Sequence, residues 1–302
     1  MKINKMCFGF GIFIIACMIF IVGCTKDNKA IDKKTTIGDI AYDGYVSTGF
    51  FSKIGLGKNE VDEKDYTVYI KENGEFELYL VLTSDYNGNT LLLRKYVLEK
   101  EYPFELEGDD ISYKNSSIGR SLHSIYYENS SIDKFLNNEY IKTLDSYIQD
   151  NIVSTSILVT KGYTSEKGFE MDVYPIERKV FLISCTEIGL EGWARVGKEG
   201  ETLEYFKDKK RYLAYAREGE KERVWYLRTP YFGNSGDGIW VVGMGGSLVG
   251  TGIADFGQPD GLTKSSVRPA FCVNNALFIE ESTDVIEGKT VYVIKNNKNL
   301  QK

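Results

Sequence analysis

Phe76-Glu-Leu-Tyr-Leu-Val-Leu82, then Asp85-Tyr-Asn87-Gly88-Asn89, then Leu91-Leu-Leu93 is the stretch that decides the fold. Phe76, Leu78, Leu80 and Leu82 alternate with Glu77, Tyr79 and Val81, the period-two pattern of a sheet strand. Asn-Gly between two such runs predicts a tight hairpin, because a type I′ turn needs positive φ at both central residues. Further strand text follows in Val180-Phe-Leu-Ile183, Val224-Trp-Tyr-Leu227, Ile239-Trp-Val-Val242 and Val267-Arg-Pro-Ala-Phe271, with Val291-Tyr-Val-Ile294 as a last edge strand. Gly243, Gly245, Gly246, Gly250 and Gly252 crowd the third of these, which indicates tight turns and close backbone approach.

One stretch breaks the sheet pattern. Ile132, Leu136, Tyr140, Leu144, Ile148 and Ile152 recur every four residues, with Phe135 and Ile141 beside them, so a single amphipathic helix is predicted over 130–152. Ser130 followed by Asp133 matches a capping box at its start. Strands, one helix and more strands imply an α+β domain: a twisted antiparallel sheet with that helix flanking it. The apolar stripe is core packing rather than a cofactor face.

The N-terminus carries a separate message. Lys2 and Lys5 precede a stretch from Met6 to Gly23 without a charged residue, and Cys24 follows just before the polar Thr25-Lys-Asp-Asn-Lys29. A basic start, an apolar core and small residues before a cleavage point make a signal peptide. Ile21-Val22-Gly23-Cys24 resembles the lipobox of bacterial lipoproteins, which implies a diacylated Cys24 anchored in the membrane and a body facing outside the cell. The competing expectation is an uncleaved spanning helix, since about 18 apolar residues can just cross a bilayer. The organisation expected is a leader over 1–23, a lipidated Cys24 with a polar tether to residue 40, and one domain over 41–302.

Composition narrows the classes. With 43 acidic against 37 basic residues, the net charge is −6, and no basic block offers the footprint that nucleic-acid binding needs. The 21 Tyr and 16 Phe, with 30 Gly against 5 Pro, favour a packed sheet protein over a disordered one. Beyond the leader only Cys185 and Cys272 remain, too few for a disulfide framework. Both lie in apolar text, so buried free thiols are expected, with a single bridge as the alternative.

Four segments carry a second resemblance. Trp225-Tyr-Leu-Arg228-Thr-Pro230 followed by Val267-Arg268-Pro-Ala270 is similar to the W-x-L-R-S-P and G-V-R-P-A hallmarks of a bacterial domain of unknown function, the DUF6273 family. Ser130-Ser-Ile-Asp-Lys-Phe-Leu-Asn-Asn-Glu-Tyr140 resembles its S-S-x-R-x-W-L-N-x-x-F segment, and Val180-Phe-Leu-Ile-Ser184 its V-F-L-L-S strand. Thr229, Ser266 and Phe135 depart mildly from Ser, Gly and Trp. The resemblance covers about residues 65–280. It implies a distant kinship with C-type-lectin and formylglycine-generating-enzyme folds, and so a sheet whose loops present a binding surface. Cys185 and Cys272 do not match the paired cysteines of that enzyme, whose activity is not carried over.

Catalytic text is sparse. His123 is the only histidine, and no Gly-x-Ser-x-Gly, Walker or His-Glu-x-x-His motif occurs. Asn234-Ser-Gly-Asp237-Gly238 and Asp255 with Asp260-Gly261 are oxygen-rich loops of the kind calcium uses, without full calcium-loop spacing, so no cofactor is assigned. Arg228 and Arg268 lie inside apolar text, where an unpaired charge costs several kcal/mol. Each therefore needs a partner, either as a bridge fixing the sheet or, with Trp225 and Trp240, at the rim of a pocket holding a sugar or anion. The expected function is non-catalytic binding of a glycan or envelope component. The alternatives are a hydrolase of cell-wall or carbohydrate substrates, and a purely structural envelope protein.

Overall fold

The computed structural model describes residues 35–47, 63–105, 125–164, 170–190, 196–233, 236–252 and 264–295. In chain order the strands are β1 (Thr67–Glu72), β2 (Glu75–Tyr86), β3 (Asn89–Arg94), β4 (Tyr102–Pro103), β5 (Ile152–Val153), β6 (Thr155–Thr164), β7 (Glu170–Arg178) and β8 (Val180–Phe181). They continue with β9 (Trp225–Gly233), β10 (Gly236–Val242), β11 (Leu248–Gly252), β12 (Lys264–Ser265), β13 (Ala270–Val273), β14 (Ile279–Ile286) and β15 (Lys289–Ile294). The helices are α1 (Tyr42–Ser47), α2 (Ser131–Asn138) and α3 (Ser146–Asn151).

One sheet of eight strands dominates, in the order β14-β15-β1-β2-β3-β13-β5, with β8 also on β13. It is mixed, because β1 and β15 run parallel with Tyr69 opposite Val293, and it curls into a half-barrel. A β9–β10–β11 meander and a long β6–β7 ribbon pack beside it. The Asn-Gly hairpin forms as its chemistry requires: Asn87 and Gly88 have φ of 52° and 77°, and join β2 to β3. Asn73-Gly74 makes the same turn between β1 and β2.

The expected α+β architecture with a flanking amphipathic helix is corrected: strand accounts for 46% of the described structure and helical residues for 20%, divided between three short α-helices and separate 3-10 turns. Residues 130–152 do not form one helix. Every member of the four-residue stripe is buried, but the backbone breaks twice beneath it. Ser130 caps α2, its hydroxyl accepting from Asp133 N at 3.2 Å, while the Asp133 carboxylate takes Asn129 N rather than Ser130 N. A 3-10 turn over Tyr140–Thr143 follows, then Leu144 in extended conformation opposite Glu72, and a fresh cap at Asp145 starting α3. The β1–β2 turn imposes the break, since Asn73 N bonds Thr143 O at 2.7 Å and Asp145 N bonds Lys71 O at 2.9 Å. Those bonds exist only when residues 143–145 leave the helix.

Other expectations shift for related reasons. Along β2 the residues Tyr79, Leu80, Val81 and Leu82 are all buried, so the strand is covered on both faces at its centre, and Phe76 is exposed instead. The last strand is not at the sheet edge but lies between β14 and β1. Ile37 and Ile40 are core residues, so the body begins before residue 41. The leader, Cys24, His123, Asp255 and Asp260 lie outside the described residues. Among the described residues no helix is long and apolar enough to cross a membrane.

Candidate functional site

Trp225, Arg228, Trp240 and Arg268 do not form one pocket rim. Arg228, on β9, is enclosed by two carboxylates drawn from irregular chain. Its Nη1 and Nη2 donate to Glu187 Oε2 and Oε1 at 2.8 and 2.7 Å, a two-pronged charge-assisted grip. Carbonyls of Leu158, Leu182 and Glu199 take the remaining N–H groups at 2.7 to 2.9 Å. Glu199 lies 4.0 Å from Arg228 Nε, and it accepts from Thr160 N at 2.7 Å and Thr229 Oγ1 at 2.5 Å. Tyr86 donates its hydroxyl to Glu187. Burial alone would depress the arginine, but Glu187 reverses that and holds it above its usual value. The Glu199 carboxyl is raised by the same burial, against the pull of Arg228.

Gly200 closes this cluster. Its φ is +121°, and an added Cβ would stand 3.1 Å from Glu187 Oε1. Glycine here permits both the backbone conformation and the approach of the loop to the carboxylate.

Arg268 has different company. Its guanidinium lies over Trp225, 5.1 Å from the ring centroid, and Nε donates to Arg94 O at 2.9 Å. Tyr205 is its other side-chain partner, and among the described residues no carboxylate pairs with it and nothing accepts from the buried Nη1. Burial pulls its pKa down to about 10. Trp225 donates its indole N–H to Tyr212 O at 3.0 Å, and Trp240 packs edge-on to Tyr231 at 5.1 Å. Close approach matters there too, because an added Cβ on Gly250 would sit 2.3 Å from the Tyr231 ring.

A second buried ionic cluster had no signal in the sequence. Arg94 bonds Glu72 at 3.0 Å and Glu77 at 2.7 Å, while the hydroxyls of Tyr79 and Tyr140 close on Glu72. Glu72 on β1 and Arg94 on β3 are separated by β2 and lie in ordinary alternating text, so only the pairing of the three strands brings them together.

Among the described residues, two of the grooves that face solvent could hold a ligand. The smaller, about 570 Å³, adjoins the Arg228 cluster through Tyr86, Leu158 and Gly200, and Asp43, Asp85 and Lys198 also line it. The larger, about 770 Å³, runs along β1 and β15, and Tyr69, Phe76 and Tyr96 present aromatic surface in it. Around them stand Glu63, Glu77, Lys95, Lys289 and Thr290. Glu63 is paired with Lys95, and Glu77 with Arg94. Half-burial holds the Glu77 carboxyl above the usual carboxylate range in spite of Arg94. None of the four residues singled out by sequence lines either groove.

The model of a domain of unknown function, DUF6273, matches residues 87–275. The chain belongs to the DUF6273 family. No curated protein and no solved structure matches it. Within the DUF6273 region, both hallmark arginines serve as interior struts, and the larger groove is built mostly from β1, β2 and β15 outside that region.

Cys185 and Cys272 are free and buried. Burial pushes the Cys272 thiol up to about 12, and raises that of Cys185 as well. Asp237 falls in β10, whereas Asn234 and Ser235 lie outside the described residues. Among the described residues no three His, Cys, Asp or Glu side chains converge as metal ligands do.

Proposed function

We propose that this DUF6273 protein is a lipoprotein anchored through Cys24 on the outer side of the cell membrane, and that its body binds a glycan or other envelope polymer without reacting with it. The observation that carries the binding reading is the larger groove. Three aromatic side chains, Tyr69, Phe76 and Tyr96, line it, with Lys71 over the Phe76 ring and Lys95 over the Tyr96 ring, while carboxylates, ammonium groups and Thr290 stand around them. Sugars combine weakly polar ring faces with a rim of hydroxyls, and such a mixed lining matches both. Hydrolysis would need two free carboxylates about 5 to 9 Å apart across the scissile bond. Of the three carboxylates that line the larger groove, Glu63 and Glu77 are each bound to a cation, which leaves Glu218 without a second carboxylate to work with, and Glu187 and Glu199 are sealed inside the fold.

The test is binding of the detergent-solubilised full chain to an array of glycans and cell-wall fragments, with and without calcium. Specific binding that drops at least tenfold in Tyr96→Ala and Tyr69→Ala, with circular dichroism unchanged, is the expected result. Binding to nothing on a broad array, or binding indifferent to both substitutions, defeats the reading. For the anchor, Cys24→Ala should release the chain from membranes; retention would mean that the apolar leader itself holds it.

A further inference from the structure

Six charged side chains line the larger groove, three Glu and three Lys, so its lining carries no net charge. Most of them are already engaged. Glu63 pairs with Lys95, Glu77 pairs with Arg94, and Lys64 has a partner as well. Just above the aromatic lining, Lys71 and Lys95 hold their ammonium groups over Phe76 and Tyr96, 4.9 and 5.0 Å from the ring centroids. Glu218 and Lys289 remain. Both are exposed, and among the described residues neither has an ionic or hydrogen-bonding partner.

The fold sets these two charges on opposite sides of the groove. Lys289 opens β15 directly after the Glu287-Gly288 turn, where Gly288 has φ of 72°, and it stands opposite Ile286 of β14. Glu218 belongs to a segment fastened to the chain that leaves β3: Val97 N bonds Tyr215 O at 2.9 Å, and Arg217 pairs with Glu99. From β15 through β1 and β2 to β3 is three strand spacings, about 14 Å. Tyr69 of β1 lies between the two sides, and its phenol, raised above its usual value chiefly by burial, also feels Glu218.

A charge that is already paired offers a ligand little, whereas an exposed unpaired one can gain a partner without losing another. A ligand of a single sign would satisfy one of these two groups and be repelled by the other. We propose that the groove selects a zwitterionic glycan, whose free ammonium group meets Glu218 and whose carboxylate or phosphate meets Lys289, with sugar rings between them over Tyr69. The selection rests on the glycan reading above and narrows it to polymers that carry both signs.

Four hyaluronan hexasaccharides separate the charges: the native anionic form, its de-N-acetylated zwitterion, and the carboxyl-reduced version of each, which are neutral and cationic. Calorimetric titration of the full chain in detergent, at about pH 6, keeps the sugar amines protonated. An exposed ion pair is worth a factor of about two to five. The zwitterion should therefore bind about threefold tighter than either singly charged form and about tenfold tighter than the neutral one. Glu218→Gln should erase the advantage of the free amine alone, and Lys289→Gln that of the carboxylate alone. Both side chains are exposed, so the two variants should fold as the wild type does. Added salt should narrow the differences among the four forms. Equal affinity for all four, lost in Tyr96→Ala, keeps the groove as a glycan site and overturns the proposal. Tighter binding of a singly charged form than of the zwitterion overturns it too. Binding of none of the four also overturns it, and the array above decides separately whether any glycan is taken.

Discussion

Arg228 and Arg268 are both enclosed by the fold, 40 residues apart in the same hallmark pattern, yet their surroundings are opposites. Arg228 meets two carboxylates and three carbonyls, and its charge is held more firmly than in water. Arg268 meets an indole face, one carbonyl and a phenol, and its charge is held less firmly. The difference follows from what each cation closes. Around Arg228 converge a turn at Glu187, a loop at Glu199 and β9, three segments without a common hydrogen-bond ladder. Arg268 sits in extended chain that backbone bonds already tie on both sides, with Leu98 N bonded to Val267 O and Arg94 N to Pro269 O at 2.8 and 2.9 Å. One arginine therefore substitutes for secondary structure, whereas the other fills a gap between aromatic rings.

The largest effect expected from this comparison is at Arg228. Arg228→Met would leave Glu187 and Glu199 buried without their cation, and removing one partner of a buried pair costs about 3 to 5 kcal/mol. Urea unfolding should show that loss with an unchanged slope, and a loss under 1 kcal/mol would mean that the cluster is not what joins the three segments. Gly200→Ala should follow, at about 2 kcal/mol, since it combines left-handed strain with a Cβ pressed on Glu187. A neutral Gly200→Ala would show that the loop can withdraw from the carboxylate, and so that the cluster is slack.

The contrast between the arginines also shows what was legible in the sequence. Arg228 and Arg268 stand out because charge inside apolar strand text must find a partner, and Asn87-Gly88 stands out because few residues take its turn. Glu187 and Glu199 do not stand out: they lie on a turn and a loop, where glutamate is ordinary, and only the folded path brings them to β9. The same limit explains the helix. Ile132 through Ile152 do face the core as their spacing implies, but a stripe of buried residues does not report the backbone bonds of Thr143 and Asp145 to the β1–β2 turn, and those bonds break the helix. Val291–Ile294 looks like an edge strand because its polar flanks carry no sign of β1 alongside, a long-range parallel pairing. Phe76 reads as an inward strand residue because its outward position contradicts its hydrophobicity, and Tyr69 and Tyr96 carry no local sign that the fold sets them beside it.

The smallest change in stability is expected at Arg268. Replacing it with Met removes a contact with Trp225, one hydrogen bond to Arg94 O and the contact with Tyr205, together about 1 to 3 kcal/mol of favourable interaction. It also removes a buried charge that no carboxylate among the described residues balances and a buried N–H that finds no acceptor among them, and Met roughly fills the apolar stem's volume. Apolar replacement of buried ionic groups is often neutral or stabilising, so the net change should lie within about 1 kcal/mol of the wild type. A loss near that of Arg228→Met would erase the distinction drawn here and imply that Arg268 holds a counter-charge as strongly as Arg228 does. The fluorescence of Trp225 offers a check that a bulk stability measurement lacks: losing the guanidinium from its face should shift the emission even where the unfolding midpoint stays in place.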